Sequence, residues 1–289
     1  MRGKIGFSKF NCQKTLFRIK KFWQYLVLCL VFHDGIAQSA SLQMGARANG
    51  MAYASSCLSD VWSLTNNIGG LAKADQTVVA FSYHAIPSFK FFNRMAAVFA
   101  VPIKSGVAGA SVFRFGDNLY NEQIVSLGFA NSFGLASLGV KVNYLQYHAE
   151  GLGTNTAFTV SFGGIAELTS QISIGAHIVN INQPVINELT EERIPTRLIA
   201  GMAFKPSDKV IIIAEIEKDL EHSAIWKTGL EYQVVKKIAF RTGFNLNPEV
   251  AFFGIGFKPR KFVLDYALQF NDPPGLSHQA TVAYQFKHK

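Results

Sequence analysis

From Thr77 onward the chain repeats one unit: a segment of roughly ten residues that alternates apolar and polar side chains, closed by a cluster of Gly, Pro, Asn, Asp, Ser or Lys. Fourteen such segments can be marked, at 77–84, 91–101, 105–116, 122–132, 136–148, 155–166, 171–182, 194–205, 209–217, 223–234, 237–245, 249–257, 261–270 and 277–287. A tilted strand of about 9 to 11 residues crosses the hydrocarbon layer of a membrane, so these lengths suit spanning strands. Period-2 segments cannot lie in lipid with open edges, which leaves closure into a barrel. The pattern predicts an all-β protein, a fourteen-stranded antiparallel transmembrane β-barrel over 77–289.

The faces separate most cleanly in the last segment, where Leu276, His278, Ala280, Val282, Tyr284 and Phe286 alternate with Ser277, Gln279, Thr281, Ala283 and Gln285. Phe262, Leu264, Tyr266, Leu268 and Phe270 stand in the same way against Asp265, Gln269 and Asn271. Aromatic residues gather toward segment ends, as interfacial girdles require, so the apolar face is read as outward and the small, polar face as the lumen. Connections supply a second test. Those after even-numbered segments are tight (Pro102 to Lys104, Phe133 to Leu135, Val235 to Lys236), whereas the longest, Gln183 to Arg193, follows an odd one. With both ends on the periplasmic side, the longer connections face outward.

The net charge of +9 would suit nucleic acid until it is divided along the chain. Residues 1–38 hold Arg2, Lys4, Lys9, Lys14, Arg18, Lys20 and Lys21 against Asp34, which accounts for six of those charges. The basic stretch, the apolar run Phe22 to Phe32 and the passage ending I-A-Q-S-A have the layout of a secretory signal peptide, with cleavage expected near Gln38. No nucleic-acid partner is expected. Cys12 and Cys29 fall in that segment, so Cys57 stands alone and has no disulfide partner.

Residues 39–76 break the alternation. They are rich in small residues, suggest a short helix around Tyr53 to Leu64, and contain a Gly-Gly turn. A segment that cannot pair as a membrane strand but precedes a barrel is predicted to fill the lumen as a hatch.

This segment and the C-terminal hairpins resemble the PorV/PorQ family of Bacteroidota outer-membrane proteins, which share the fold of the FadL transporters. The residues that carry the resemblance are Gly45, Ala46, Arg47, Ala48 and Gly50, then Asp60 to Trp62, Asn67 to Leu71, and G-L-S-H-Q-A-T-V-A-Y-Q-F from Gly275 to Phe286. Relatives carry Asn-Pro-Ala-Gly-Leu where this chain has Asn67, Ile68, Gly69, Gly70 and Leu71, so its hatch turn lacks a proline. The resemblance implies an outer-membrane location and a hatch site of Gly45, Arg47, Gly50, Asp60, Trp62, Asn67 and Gly70. It also implies one of two functions: a partner-binding component of type IX-like protein secretion or surface assembly, taken as the main expectation, or passive passage of hydrophobic small molecules. The expected partners are outer-membrane lipid and a protein of such a complex, with a hydrophobic ligand as the alternative.

The expected lumen face gathers Arg94, Arg114, Lys141, Arg197, Lys227 and Arg241 with Glu215, Glu217, Glu231 and Asp265. A closed lumen penalises unpaired charge, so these are expected to neutralise one another rather than to form an ion path. No catalytic residue, metal site or cofactor is expected. The histidines are scattered without ligand spacing, no serine sits in G-x-S-x-G, and Gly163, Gly164, Gly254 and Gly256 lie inside strands, where they read as bends or close packing.

Overall fold

The computed structural model describes residues 41–187, 191–219, 223–271 and 275–286. The expected signal peptide and the tip of the Gln183 to Arg193 connection, with Glu188, lie outside the described residues.

Among the described residues sixteen strands form. They are β1 (Val78–Ala85), β2 (Arg94–Ile103), β3 (Gly106–Gly116), β4 (Tyr120–Phe133), β5 (Ala136–Ala149), β6 (Gly153–Glu167), β7 (Ile172–Val179), β8 (Val185–Asn187), β9 (Glu192–Arg193), β10 (Arg197–Ser207), β11 (Val210–Asp219), β12 (Ile225–Val235), β13 (Ile238–Leu246), β14 (Val250–Phe257), β15 (Phe262–Asn271) and β16 (Gly275–Gln285). All but β8 and β9 join one closed antiparallel barrel, each strand beside its sequence neighbours, with β10 following β7 in the wall. β1 closes onto β16, from Val78 opposite Gln285 to Ala85 opposite His278. Closure leaves no long sheet edge to be satisfied by lipid. The fourteen alternating segments therefore correspond to fourteen barrel strands, and the fold class expected from the sequence is the one observed.

β1 begins and β16 ends at one rim, here the terminal rim; the other is the loop rim. Connections at the terminal rim span only 104–105, 134–135, 168–171, 208–209, 236–237 and 258–261, and the longest connection, 180–196, lies at the loop rim. The small antiparallel hairpin of β8 and β9 in that connection was not expected from the sequence. β4, β5 and β6 are also longer than expected and rise further toward the loop rim.

The outward face is a belt of exposed apolar side chains, among them Phe81, Phe99, Leu127, Phe162, Phe240, Phe253 and Val282. Water would oppose such a surface, and lipid favours it. No helix among the described residues is long and apolar enough to cross a membrane.

One lumen assignment is corrected. Arg114 is exposed on the outward face and pairs across the ladders with Met95 and Gln123, which are also exposed. Its neighbour Phe113 points inward and is 4% exposed. Near the loop rim β3 thus turns an aromatic residue into the lumen and a cation outward, the reverse of the rule used to set its face. The other nine expected lumen charges do lie on the lumen side.

Residues 41–76 occupy the lumen, nearly all of them buried. The helix expected around Tyr53 to Leu64 does not form. Instead α1 spans Ala46–Asn49, followed by 3-10 turns at Val61–Leu64 and Ile68–Lys73. Ala52 (φ 59°) and Tyr53 (φ 56°) are left-handed, a conformation that cannot be continued as a helix of L-residues. Asp60 then starts a new turn, accepting from Trp62 N, while Ser63 Oγ accepts from Asp60 N.

Candidate functional site

The hatch can enter a fourteen-strand lumen because the wall gives way at one level. Gly109, Gly128, Gly139, Gly163, Gly175, Gly201, Gly229, Gly243 and Gly254 form a belt of small lumen residues from β3 round to β14, with Gly109 opposite Gly128, Gly139 opposite Gly163, Gly175 opposite Gly201, and Gly229 opposite Gly243. The hatch lies against this belt. A Cβ at Gly139 would fall 2.8 Å from Ile68 Cγ1, one at Gly128 2.6 Å from Leu64 Cδ1, one at Gly229 2.7 Å from Met51 Cβ, and one at Gly254 3.0 Å from the Cα of Gly50. The strand glycines are thus explained by close packing, and the whole belt was visible in the sequence as one glycine near the middle of most strands.

The hatch meets two chemically different walls. On the β11 to β16 side ionic and polar contacts are added to an apolar cluster in which Ala48, Met51, Ala52 and Tyr53 meet Ile213, Val250 and Phe252. Arg47 makes a two-pronged pair with Glu231 of β12 (2.8 and 2.9 Å) and reaches Asp60 at 3.2 Å. Glu231 also accepts from Arg241 Nε at 2.5 Å, and Arg241 Nη1 pairs with Asp265 of β15 at 2.7 Å. Five alternating charges, Asp60, Arg47, Glu231, Arg241 and Asp265, therefore tie the hatch to three strands. Glu215 Oε2 accepts from the backbone N–H groups of Ser55 (2.9 Å) and Ser56 (2.7 Å), and its other oxygen lies 3.5 Å from Lys227. Lys227 bonds Glu217, which also takes Arg197 at 3.1 Å. Gln279, fully buried, accepts from Asn49 Nδ2 and Tyr53 Oη, both at 2.8 Å. Bonds to ionised groups in a water-poor lumen are the strong kind, so this side holds the hatch firmly.

On the β1 to β6 side an apolar cluster dominates, beside a bond from Arg94 Nη1 to Ser41 O (3.2 Å) and a Lys73–Glu167 pair (3.3 Å). Leu42, Met44, Val61, Trp62, Leu64, Ile68 and Leu71 form one buried cluster with Val78, Ala80, Ala96, Val98, Ala100, Val107, Phe113, Ile124, Ala130, Leu145 and Tyr147 of the wall. Val78, Ala100, Val107 and Ala130 stand near the terminal rim, while Phe113, Ile124, Leu145 and Tyr147 stand near the loop rim. Apolar residues thus stand near both rims on this side, with the buried polar side chains of Ser82, Ser111, Ser126, Lys141 and Asn143 on the same strands between them. The anchor within it is Asn67, whose Nδ2 donates to the carbonyls of Ser56 (2.6 Å) and Gly164 of β6 (3.0 Å), while its Oδ1 accepts from Gly69 N (3.1 Å).

Each hatch residue expected from the sequence therefore has a place. Arg47 and Asp60 belong to the ionic wall, Trp62 to the apolar one, Asn67 to the anchor, Gly50 to the close approach at Gly254, and Gly70 lies under Leu58 O and Ser63. Gly45, at φ 106°, carries the chain past Trp62, whose Cγ would lie 2.7 Å from an added Cβ. Gln279, Asn49, Ser55 and Ser56 were missed. Gln279 alternates with outward residues and could have been found by parity; the backbone donors of Ser55 and Ser56 have no sequence signal. Among the described residues no group of three or more His, Cys, Asp or Glu is placed to hold a metal. Cys57 is buried, its thiol pushed up from its ordinary pKa by loss of water contact.

These features define a class: a closed fourteen-strand membrane barrel filled by its own N-terminal segment. Several solved structures are similar to this chain. They include a monoaromatic hydrocarbon channel, CymD (10% identity, TM-score 0.65, 87% of this chain and 100% of that one). The Pseudomonas putida toluene transporter TodX matches at 11% identity with a TM-score of 0.66, over 86% of this chain and 99% of that one. A Pseudomonas aeruginosa FadL homologue matches at 11% identity with a TM-score of 0.58, over 86% and 100%. The likeness is one of fold. No family model matches the chain, and no curated protein sequence does.

Proposed function

We propose that this chain is a non-enzymatic barrel of the bacterial outer membrane that lets hydrophobic small molecules pass. The observation that carries this reading is the apolar cluster between the hatch and β1 to β6, in which Leu64, Ile68 and Leu71 lie on Gly109, Gly128 and Gly139, beside the polar contacts of Ser41 with Arg94, Asn67 with Gly164 and Lys73 with Glu167. Displacing Leu64, Ile68 and Leu71 from the glycines of β3, β4 and β5 opens a seam held by apolar packing, while the Arg47 and Glu215 contacts keep the hatch in the lumen. An apolar solute entering the seam replaces the contacts that the hatch gives up, so the exchange is nearly even in buried area. The fold shared with CymD, TodX and the FadL homologue supports the same reading, because the first two are a hydrocarbon channel and a toluene transporter.

A second reading, the secretion or surface-assembly role implied by the PorV/PorQ resemblance, is favoured by one observation: the resting lumen is packed with side chains and ion pairs. The two separate in a strain lacking the gene. Under the transport reading uptake of toluene falls and returns on complementation, with secreted-protein release unchanged; the reverse pattern selects the secretion role, and no change in either sinks both.

A further inference from the structure

The lumen cations Arg47, Arg197, Lys227 and Arg241 each have a carboxylate partner within 4 Å. Lys141 does not. It projects inward from β5, opposite Ser161 of β6, is 3% exposed, and makes no hydrogen bond or ion pair among the described residues. A buried ammonium without a counter-charge is strongly unfavourable. Its surroundings do not supply one. Glu217 is engaged by Arg197 and Lys227, Glu215 by Lys227 and the hatch backbone, and Asp219 stands opposite Arg197 across the β10–β11 ladder.

A narrow cavity opens beside Lys141, lined by Gln43 and Thr65 of the hatch, His177 of β7 and Arg197 of β10, with Leu42 and Ile199 among its apolar walls. Two buried polar atoms here lack partners, Gln43 Nε2 and His177 Nδ1. Gln43 Oε1 already accepts from Lys227, which leaves its amide as a donor, and a neutral imidazole can place its proton on Nδ1. An ammonium, a half-used guanidinium, an amide N–H and an imidazole nitrogen thus surround one cavity, with no acid among the residues that line it.

We propose that this cavity is a binding site for one small monovalent anion, of the halide or short-carboxylate class, which neutralises Lys141 and fastens Gln43 of the hatch to β5, β7 and β10. The single ammonium without an ion pair fits a monovalent ligand, and the apolar walls and small size of the cavity disfavour a large hydrated one.

The site is tested on the full chain in detergent micelles, in gluconate buffer of fixed ionic strength, by thermal unfolding during titration with chloride, bromide or acetate. The expected result is a saturable rise in the unfolding midpoint of the wild type, kept in Lys141→Arg and lost in Lys141→Met. A bromide soak should place an anomalous peak beside Lys141, a readout that holds even where Lys141→Met fails to fold. No saturable rise in the wild type, or an equal rise in Lys141→Met, overturns the site. A response to octanoate with none to acetate or halide also overturns it, since the cavity would then serve the head of a larger permeant. Toluene flux is a separate measurement, so failure of this site and failure of the transport reading are distinguishable.

Discussion

Glu231 takes both Arg47 and Arg241 on its two oxygens, so its carboxylate is the junction between hatch and barrel. Replacing it with Ala leaves two guanidinium groups facing each other in a water-poor lumen, a change that costs about 3–5 kcal/mol when a buried pair is broken. Equilibrium urea unfolding of Glu231→Ala in detergent should show a loss of that size, and a loss below about 1 kcal/mol, the range of exposed pairs, would mean that the pair is solvated. Gly45 offers a second check at this scale. Its left-handed φ and the nearby Trp62 ring both oppose a side chain, so Gly45→Ala should destabilise the barrel more than the roughly 1 kcal/mol backbone penalty alone. Residue-level reading of the sequence succeeded where one rule sufficed: charges at lumen parity along β10 to β15 were located because their neighbours are aromatic and outward. It failed at Arg114, where Phe113 and Phe115 turn inward toward the hatch cluster and reverse the rule.

Among the elements, the strands were legible and the hatch was not, for a physical reason. A strand that separates lipid from a polar lumen must alternate, and so β12, β13, β15 and β16 announced themselves through Phe240, Tyr266 and their neighbours. The hatch is buried on every side, with Met44, Met51, Leu64 and Leu71 all fully covered, so it carries no amphipathic period to read. Hence the expected helix at 53–64 gave way to α1 and two 3-10 turns. The glycine belt is what receives it. A valine at Gly175 would collide with the carbonyl of Ser56 and press on Cys57 Sγ, 3.1 Å from the added Cβ. In a chain carrying Cys12→Ser and Cys29→Ser, Cys57 should resist maleimide until the barrel is denatured, and Gly175→Val should make it react in the folded state. Equal protection in both would show that the hatch does not rest on this belt.

The barrel is a lipid-facing wall around a lumen in which ion pairs gather along β10 to β15 and an apolar cluster along β1 to β6. Closure by β1 and β16 pairs every strand, so the purified protein should stay compact in unheated SDS and migrate differently after boiling; a single unchanged band would count against a closed membrane barrel. The division of the lumen also says where movement belongs. Ionic contacts hold Arg47, Ser55 and Ser56 in place, and the weaker apolar seam lies between Ile68 and Gly139. A cysteine pair introduced by Ile68→Cys and Gly139→Cys would staple that seam shut. The most direct test is toluene flux into liposomes holding this variant, with Cys57→Ser to prevent mispairing. The account predicts flux above empty liposomes when the pair is reduced and a fall to the empty-liposome rate when it is oxidised. Equal flux in the two states, or none in either while the unstapled protein is folded and inserted, would contradict it.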